Sequence, residues 1–283
     1  MTDRKALPGK FVWYELVTSD AKKAQAFYRK VLGWKTQPFP MGDYTYEMIL
    51  AGDTPDSMIG GYALPTKNDR RPSHWIAYVS VEDVDAAVKT ATANGGKVLA
   101  PPSDIPDVGR TAGIADPQGA ELHLLENAKG DPPDISTAPP GRFFWNELHT
   151  RDTAKALAFY EKVVGFTHRA MDMGPGGVYN VISKGGVDRG GVTTHLPPDM
   201  QPHWLPYVAV EDPDETLGLV KKSGGTIHMP AEDIPGVGRF GVLQDPTGAF
   251  LAVMKPMPNE KMKEMHEKSG AKSRESEPAG VSR

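Results

Sequence analysis

At 283 residues, with 39% apolar and 24% charged side chains, the chain has the composition of a folded protein and the length of about two domains. It holds no cysteine, which excludes disulfide scaffolds, thiolate metal sites and cysteine nucleophiles and leaves His, Asp, Glu and other oxygen donors for any metal. A net charge of −4 gives no overall basic field for nucleic acid or anionic membrane, no stretch approaches the ~18 apolar residues of a membrane span, and the polar start (Met1-Thr-Asp-Arg-Lys) leads into no apolar signal segment, so a cytoplasmic protein is expected.

Residues 11–17 (FVWYELV) are aromatic and β-branched and read as a strand. Ser19-Asp20 can cap a helix that runs to Leu32 and stops at Gly33, with Ala24, Phe27, Tyr28 and Val31 as its apolar stripe. Strands are expected near 44–51 and 59–64. Trp75–Val81 is the next strand, Asp83 caps a helix over 84–93, and Asn94-Gly95-Gly96 ends it. Strands over 97–100, 111–115 and 121–125 follow, the last two joined by the turn Asp116-Pro117-Gln118-Gly119.

The same order then starts again. Trp13, Glu15, Asp20, Phe27 and Gly33 recur 132 residues later as Trp145, Glu147, Asp152, Phe159 and Gly165. His74, Trp75, Asp83, Gly109, Arg110 and Asp116 recur 129 residues later as His203, Trp204, Asp212, Gly238, Arg239 and Asp245. Identical order with one small deletion marks an internal duplication. The expected division is a first domain over 8–127, a Pro-rich linker over 128–140, a second domain over 141–257, and a polar, disordered tail over 258–283.

The motifs D-x6-F-Y-x4-G (Asp20, Phe27, Tyr28, Gly33; Asp152, Phe159, Tyr160, Gly165) and D-P-x-G-A (Asp116–Ala120, Asp245–Ala249) resemble those of the vicinal oxygen chelate superfamily, which includes glyoxalase I, bleomycin-resistance proteins and extradiol dioxygenases. W-x-E-L, H-W and D-I-P-x-V-G-R look like the tandem branch often labelled "hydroxylase", which includes a mycobacterial glyoxalase-like antigen. The resemblance implies an α+β fold of two tandem glyoxalase-like domains. Each would be built from two βαβββ modules whose curved sheet forms an open cup around the reactive site. In metal-using members, ligands sit on the first strand of each module and on the last strand. Here those positions fall on Trp13, Ile76 and His123, and in the second repeat on Trp145, Leu205 and Ala252. Only His123 can ligate.

A displaced metal set is the alternative. Residues two apart on a strand share a face, so Glu15, His74 and His123 could offer the two-histidine, one-carboxylate composition of a facial triad. That set would hold one divalent ion (iron, nickel, zinc or manganese) in the first repeat, although a two-residue displacement moves a side chain about 7 Å. Glu15 and Glu147 are candidate catalytic bases, or buried carboxylates paired with His74/His203 or Arg110/Arg239. Trp13 and Trp145 could wall a pocket for a flat ligand; Trp75 and Trp204 read as core. Arg110, His203 and Arg239 are candidate substrate contacts, the arginines equally able to bridge to Asp104 and Asp233. Gly60-Gly61 and Gly190-Gly191 mark bulges or close backbone contacts. His149 and His195, found only in the second repeat, read as incidental.

Two functions follow. One is a glyoxalase-like lyase/isomerase or an oxygenase acting on a small carbonyl or aromatic compound. The other is metal-free binding of a drug or metabolite without turnover. The expected partner is a small molecule, with the chain a monomer or homodimer and neither nucleic acid nor membrane involved.

Overall fold

The computed structural model describes residues 5–41, 44–54, 57–173 and 177–257; the expected tail lies outside them. The first half runs β1 (Phe11–Val17), α1 (Ala21–Val31), β2 (Lys35–Met41), β3 (Tyr44–Leu50), β4 (Met58–Ala63), β5 (His74–Ser80), α2 (Val84–Ala93), β6 (Lys97–Ile105), β7 (Gly109–Ala115) and β8 (Glu121–Asn127). The second half repeats it as β9 (Phe143–His149), α3 (Thr153–Val163), β10 (Thr167–Asp172), β11 (Val178–Lys184), β12 (Val187–Thr193), β13 (His203–Ala209), α4 (Pro213–Lys222), β14 (Thr226–Ile234), β15 (Gly238–Gln244) and β16 (Phe250–Pro256). These are four βαβββ modules. Each half forms one eight-stranded sheet, ordered β2-β3-β4-β1-β5-β8-β7-β6 in the first and β10-β11-β12-β9-β13-β16-β15-β14 in the second.

Helix starts follow the caps expected from sequence. Asp20 accepts from the backbone N–H of Lys23 at 3.1 Å and Asp83 from that of Ala86 at 2.8 Å, with Asp152 and Asp212 repeating the arrangement. Two strands depart from expectation. β2 is absent from the strands expected above; it contains Pro38 and Pro40 and forms at an edge, paired with β3. β6 continues through Pro101-Pro102 to Ile105 on the opposite edge, with its register broken between Ala100 and Ser103. Proline is tolerated at edges and bulges because no ladder hydrogen bond is lost there.

The two sheets share one core. Along β1, Tyr14 and Leu16 face it, while Trp13, Glu15 and Val17 face the other way. Helix α1 packs on α4 and α2 on α3, so each domain's helices meet the other's. Tyr14 stacks on Phe143 with ring centroids 3.8 Å apart and accepts from Asn146 Nδ2 at 2.8 Å. Trp34 Nε1 donates to Gly141 O at 2.7 Å. Trp75 and Trp204 are buried here, as expected, donating to Tyr28 and Tyr160 hydroxyls at 3.1 and 3.0 Å. Burial of each such ring contributes about 1.5–3 kcal/mol. The outward faces of the two sheets carry separate apolar clusters around Ile76 and Tyr78, and around Leu205 and Tyr207. Those faces are the cups.

Candidate functional site

Strand pairing assembles the first cup. β1 runs antiparallel to β5 with Trp13 opposite Tyr78, Glu15 opposite Ile76 and Val17 opposite His74, so all six share a face. On its other side β1 runs parallel to β4, with Glu15 beside Gly61. Because Gly61 has no side chain, Tyr46 on β3 reaches over it; a Cβ on Gly61 would fall on the Tyr46 hydroxyl. Gly191 stands in the same relation to Tyr179. This is the close approach that the paired glycines signalled.

Each cup centres on a carboxylate held by two tyrosines. Tyr46 donates to Glu15 Oε1 at 2.8 Å and Tyr78 to Glu15 Oε2 at 2.7 Å, while Trp13 Nε1 donates to the Tyr46 hydroxyl at 3.1 Å. In the second cup Tyr207 donates to Glu147 Oε1 at 3.1 Å, Tyr179 also bonds Glu147, and Trp145 Nε1 donates to Tyr179 at 3.0 Å. Burial, and then the neighbouring carboxylate charge, push all four phenols well above their ordinary range. They stay protonated donors at any physiological pH.

The cups differ around that shared centre. In the first, His123 Nε2 lies 3.0 Å from Glu121 Oε1, and Arg71 Nη1 donates to Glu121 Oε2 at 2.5 Å. Burial raises the Glu121 carboxyl, but His123 and Arg71 outweigh it and hold it below the usual range. Arg71 also forks onto Asp69. In the second cup Phe250 and Ala252 replace Glu121 and His123. There His149 takes the place of Val17. Its Nε2 lies 2.8 Å from Glu147 Oε1, its Nδ1 is 2.6 Å from the His195 carbonyl, and its ring stacks on His203 at 5.1 Å. Burial pushes Glu147 up and His149 down, yet their mutual attraction reverses both, leaving Glu147 lowered and His149 raised. His203 is lowered by burial and by the charge of His149. The sequence reading of His149 as incidental is therefore corrected: strand alternation puts His149 on the face of Glu147, and His195 meets it through its backbone carbonyl.

Arg110 pairs with Asp85 on α2 at 2.5 Å and with Asp104 at 2.9 Å, and Arg239 with Asp214 on α4 at 2.6 Å and Asp233 at 3.2 Å. Their guanidinium groups are engaged with helix and edge-strand carboxylates, not with Glu15 or Glu147. His74 Nδ1 is bonded at 2.9 Å to Pro72 O, and its Nε2 lies 3.9 Å from Asp69. Glu15, His74 and His123 thus each face different partners. Among the described residues no group of three or more His, Asp or Glu side chains is placed to hold a metal ion. The donor set does not fit the facial triad.

The four tyrosines escaped the sequence reading. Tyr78 and Tyr207 lie two residues beyond Ile76 and Leu205, on the same face and at the same 129-residue offset, so they were findable. Tyr46 and Tyr179 are 133 residues apart, out of step with both the 132- and the 129-residue offsets because length changes between the repeats fall on either side of them.

A family model described as the glyoxalase/bleomycin resistance protein/dioxygenase superfamily matches residues 10–124 and again 142–253. The chain belongs to this superfamily. A putative glyoxylase of Mycobacterium tuberculosis, CFP32, is 37% identical over 250 residues, covering 88% of this chain and 95% of the relative. The anthracycline biosynthesis protein DnrV of Streptomyces peucetius is 29% identical over 264 residues, covering 87% and 93%. Among solved structures, the Mn(II)-bound glyoxalase of Novosphingobium aromaticivorans matches with a TM-score of 0.58 at 18% identity, covering 89% of this chain and 82% of that one. The 2,3-dioxygenase LapB of a Pseudomonas matches at 0.59 and 13%, covering 92% and 96%. These structural likenesses show the fold, and the family model's two matches show two glyoxalase domains. No helix among the described residues is long and apolar enough to cross a membrane.

Proposed function

We propose that each cup is a small-molecule site and that the chain is a glyoxalase-like lyase or isomerase acting on a small carbonyl compound, with Glu15 and Glu147 as the proton-transferring groups. The observation that carries this reading is the Glu15 carboxylate held between two tyrosine hydroxyls on facing strands. A carboxylate that removes a proton from the carbon beside a carbonyl becomes a neutral acid and a weaker acceptor. The hydroxyls of Tyr46 and Tyr78, locked in their protonated form, are then free to donate to the enolate oxygen where the electron pair has gone. In an α-hydroxycarbonyl substrate, returning that proton to the former carbonyl carbon while the α-hydroxyl proton passes to the enolate oxygen completes an isomerisation, and Glu15 ends as it began. Trp13 donates into the Tyr46 oxygen and so fixes which way that hydroxyl points.

Binding without turnover is the second reading, supported by the aromatic side of the second cup, where Trp145, Phe240 and Phe250 pack against the cluster of Leu205, Tyr207, Ala252 and Met254. The two are separated by following deuterium from D2O into a panel of α-hydroxycarbonyl probes by NMR, with tryptophan fluorescence recording binding. The proton-transfer reading expects exchange that disappears in the Glu15→Gln/Glu147→Gln double variant. Quenching without exchange in any probe would favour binding alone.

A further inference from the structure

The internal duplication supplies a control for every surface of the molecule, because each feature of one half has a counterpart in the other. The groove between α1 and the end of α4 fails to match its counterpart. It encloses about 440 Å³, walled by Lys23, Phe27 and Lys30 on one side and by Ser223, Gly224 and Pro246 on the other. That volume is in the ordinary range for small-molecule sites. Lys23, Phe27 and Lys30 stand at i, i+4 and i+7 and so share one helix face.

At the equivalent place between α3 and α2 the lysines are occupied. Lys162 Nζ donates to Asn94 Oδ1 at 2.8 Å, and Lys155 pairs with Asp152 at 3.2 Å. Ser223 takes the place of Asn94; both cap the C-terminus of their helix, α4 and α2, but the serine side chain is shorter and lacks the amide oxygen. Among the described residues neither Lys23 nor Lys30 forms a side-chain hydrogen bond or ion pair. The last turn of α4 adds Lys221 and Lys222, whereas that of α2 has no basic residue. In a chain of net charge −4, this is a local concentration of uncompensated cations beside an apolar floor.

We propose that the groove is a second ligand site, separate from the cups, for a small aromatic anion. Its phosphate or carboxylate lies between the ammonium groups of Lys23 and Lys30, and its ring lies against Phe27 and Pro246. Ammonium groups are effective point-charge partners for such anions, and the site differs from the cups in charge: there buried carboxylates face the ligand, here lysines do.

The test is calorimetric titration of the intact protein with 1-naphthyl phosphate, 1-naphthoate and 1-naphthol. The expected result is saturable binding of one or both anions, the one bound more tightly identifying the head group, with 1-naphthol weaker by at least about tenfold. Lys23→Ala/Lys30→Ala should weaken anion binding by about tenfold or more, as expected for two exposed charge contacts. Ser223→Asn, which supplies Lys30 with the partner that Lys162 has, should do the same, while Glu15→Gln/Glu147→Gln should bind the anions as the parent does. Absence of anion binding, equal binding of 1-naphthol, or binding lost in the glutamate variant but kept in the lysine variant would overturn the proposal. Should Ser223→Asn fold poorly, the lysine pair alone decides.

Discussion

His149 Nε2 lies 2.8 Å from Glu147 Oε1 in the second cup, at a position that the first cup fills with Val17. Duplication made the two carboxylates equivalent, and this substitution made them different: Glu147 faces an imidazole, whereas among the described residues Glu15 accepts from the Tyr46 and Tyr78 hydroxyls.

That difference has a pH signature. His149 is raised above its ordinary value, so its contribution to stability is complete below about pH 6.5 and is lost as the pH rises through the higher folded value. Glu147 is lowered, so its contribution is present above about pH 4.5 and is lost as the pH falls through the lower folded value. The pair therefore stabilises most between these limits. An NMR titration should place the His149 transition above that of an exposed histidine, and Glu147→Gln should bring it down. An unchanged transition in Glu147→Gln would show that the ion pair does not form.

Removing a tyrosine hydroxyl leaves one carboxylate oxygen short of a donor. Tyr78→Phe should cost about 1–2 kcal/mol, the penalty for an unpaired, partly buried acceptor, measured by urea denaturation, and Tyr207→Phe less, because His149 Nε2 still faces Glu147 Oε1. If the cups instead accommodate water freely at this point, the cost will fall below about 0.5 kcal/mol.

Gly191 and Gly61 act through space, not through backbone freedom. An alanine at either collides with the tyrosine hydroxyl above it. Gly191→Ala should therefore cost about 1–3 kcal/mol and also shift the fluorescence of Trp145, which donates to that same hydroxyl. A stability loss with no change in emission would mean that the strain is absorbed elsewhere.

The shared core makes the domains interdependent. Gln118 accepts from the Asp152 backbone N–H at 2.9 Å and donates to its carbonyl at 2.9 Å, across the interface. Calorimetry should show one unfolding transition for both domains, and Gln118→Ala should lower it as a unit by about 1–2 kcal/mol. Two resolved transitions, only one of them shifted, would contradict a common core.

Much of this was legible in the sequence. Asp20, Asp83, Asp152 and Asp212 announced their helices because a cap is a local interaction, and the duplicated Glu15 and Glu147 announced a carboxylate that needs partners on its sheet face. The edge strand β2 was hidden by Pro38 and Pro40, whose tolerance depends on lying at an edge. The partners of Glu15 were hidden for a similar reason: Tyr46 meets it across an intervening strand, through a gap that Gly61 leaves, and neither fact is local. Spacing alone could not show that Arg110 and Arg239 would be drawn to Asp85 and Asp214, one helix away.

The most direct test of proton transfer by the paired carboxylates is NMR of deuterium incorporation from D2O into α-hydroxycarbonyl probes by chelator-treated protein, the parent beside Glu15→Gln/Glu147→Gln. Incorporation that survives chelation and is lost in the double variant is the expected result. Incorporation that needs added metal, persists without both glutamates, or is absent across the panel would contradict it.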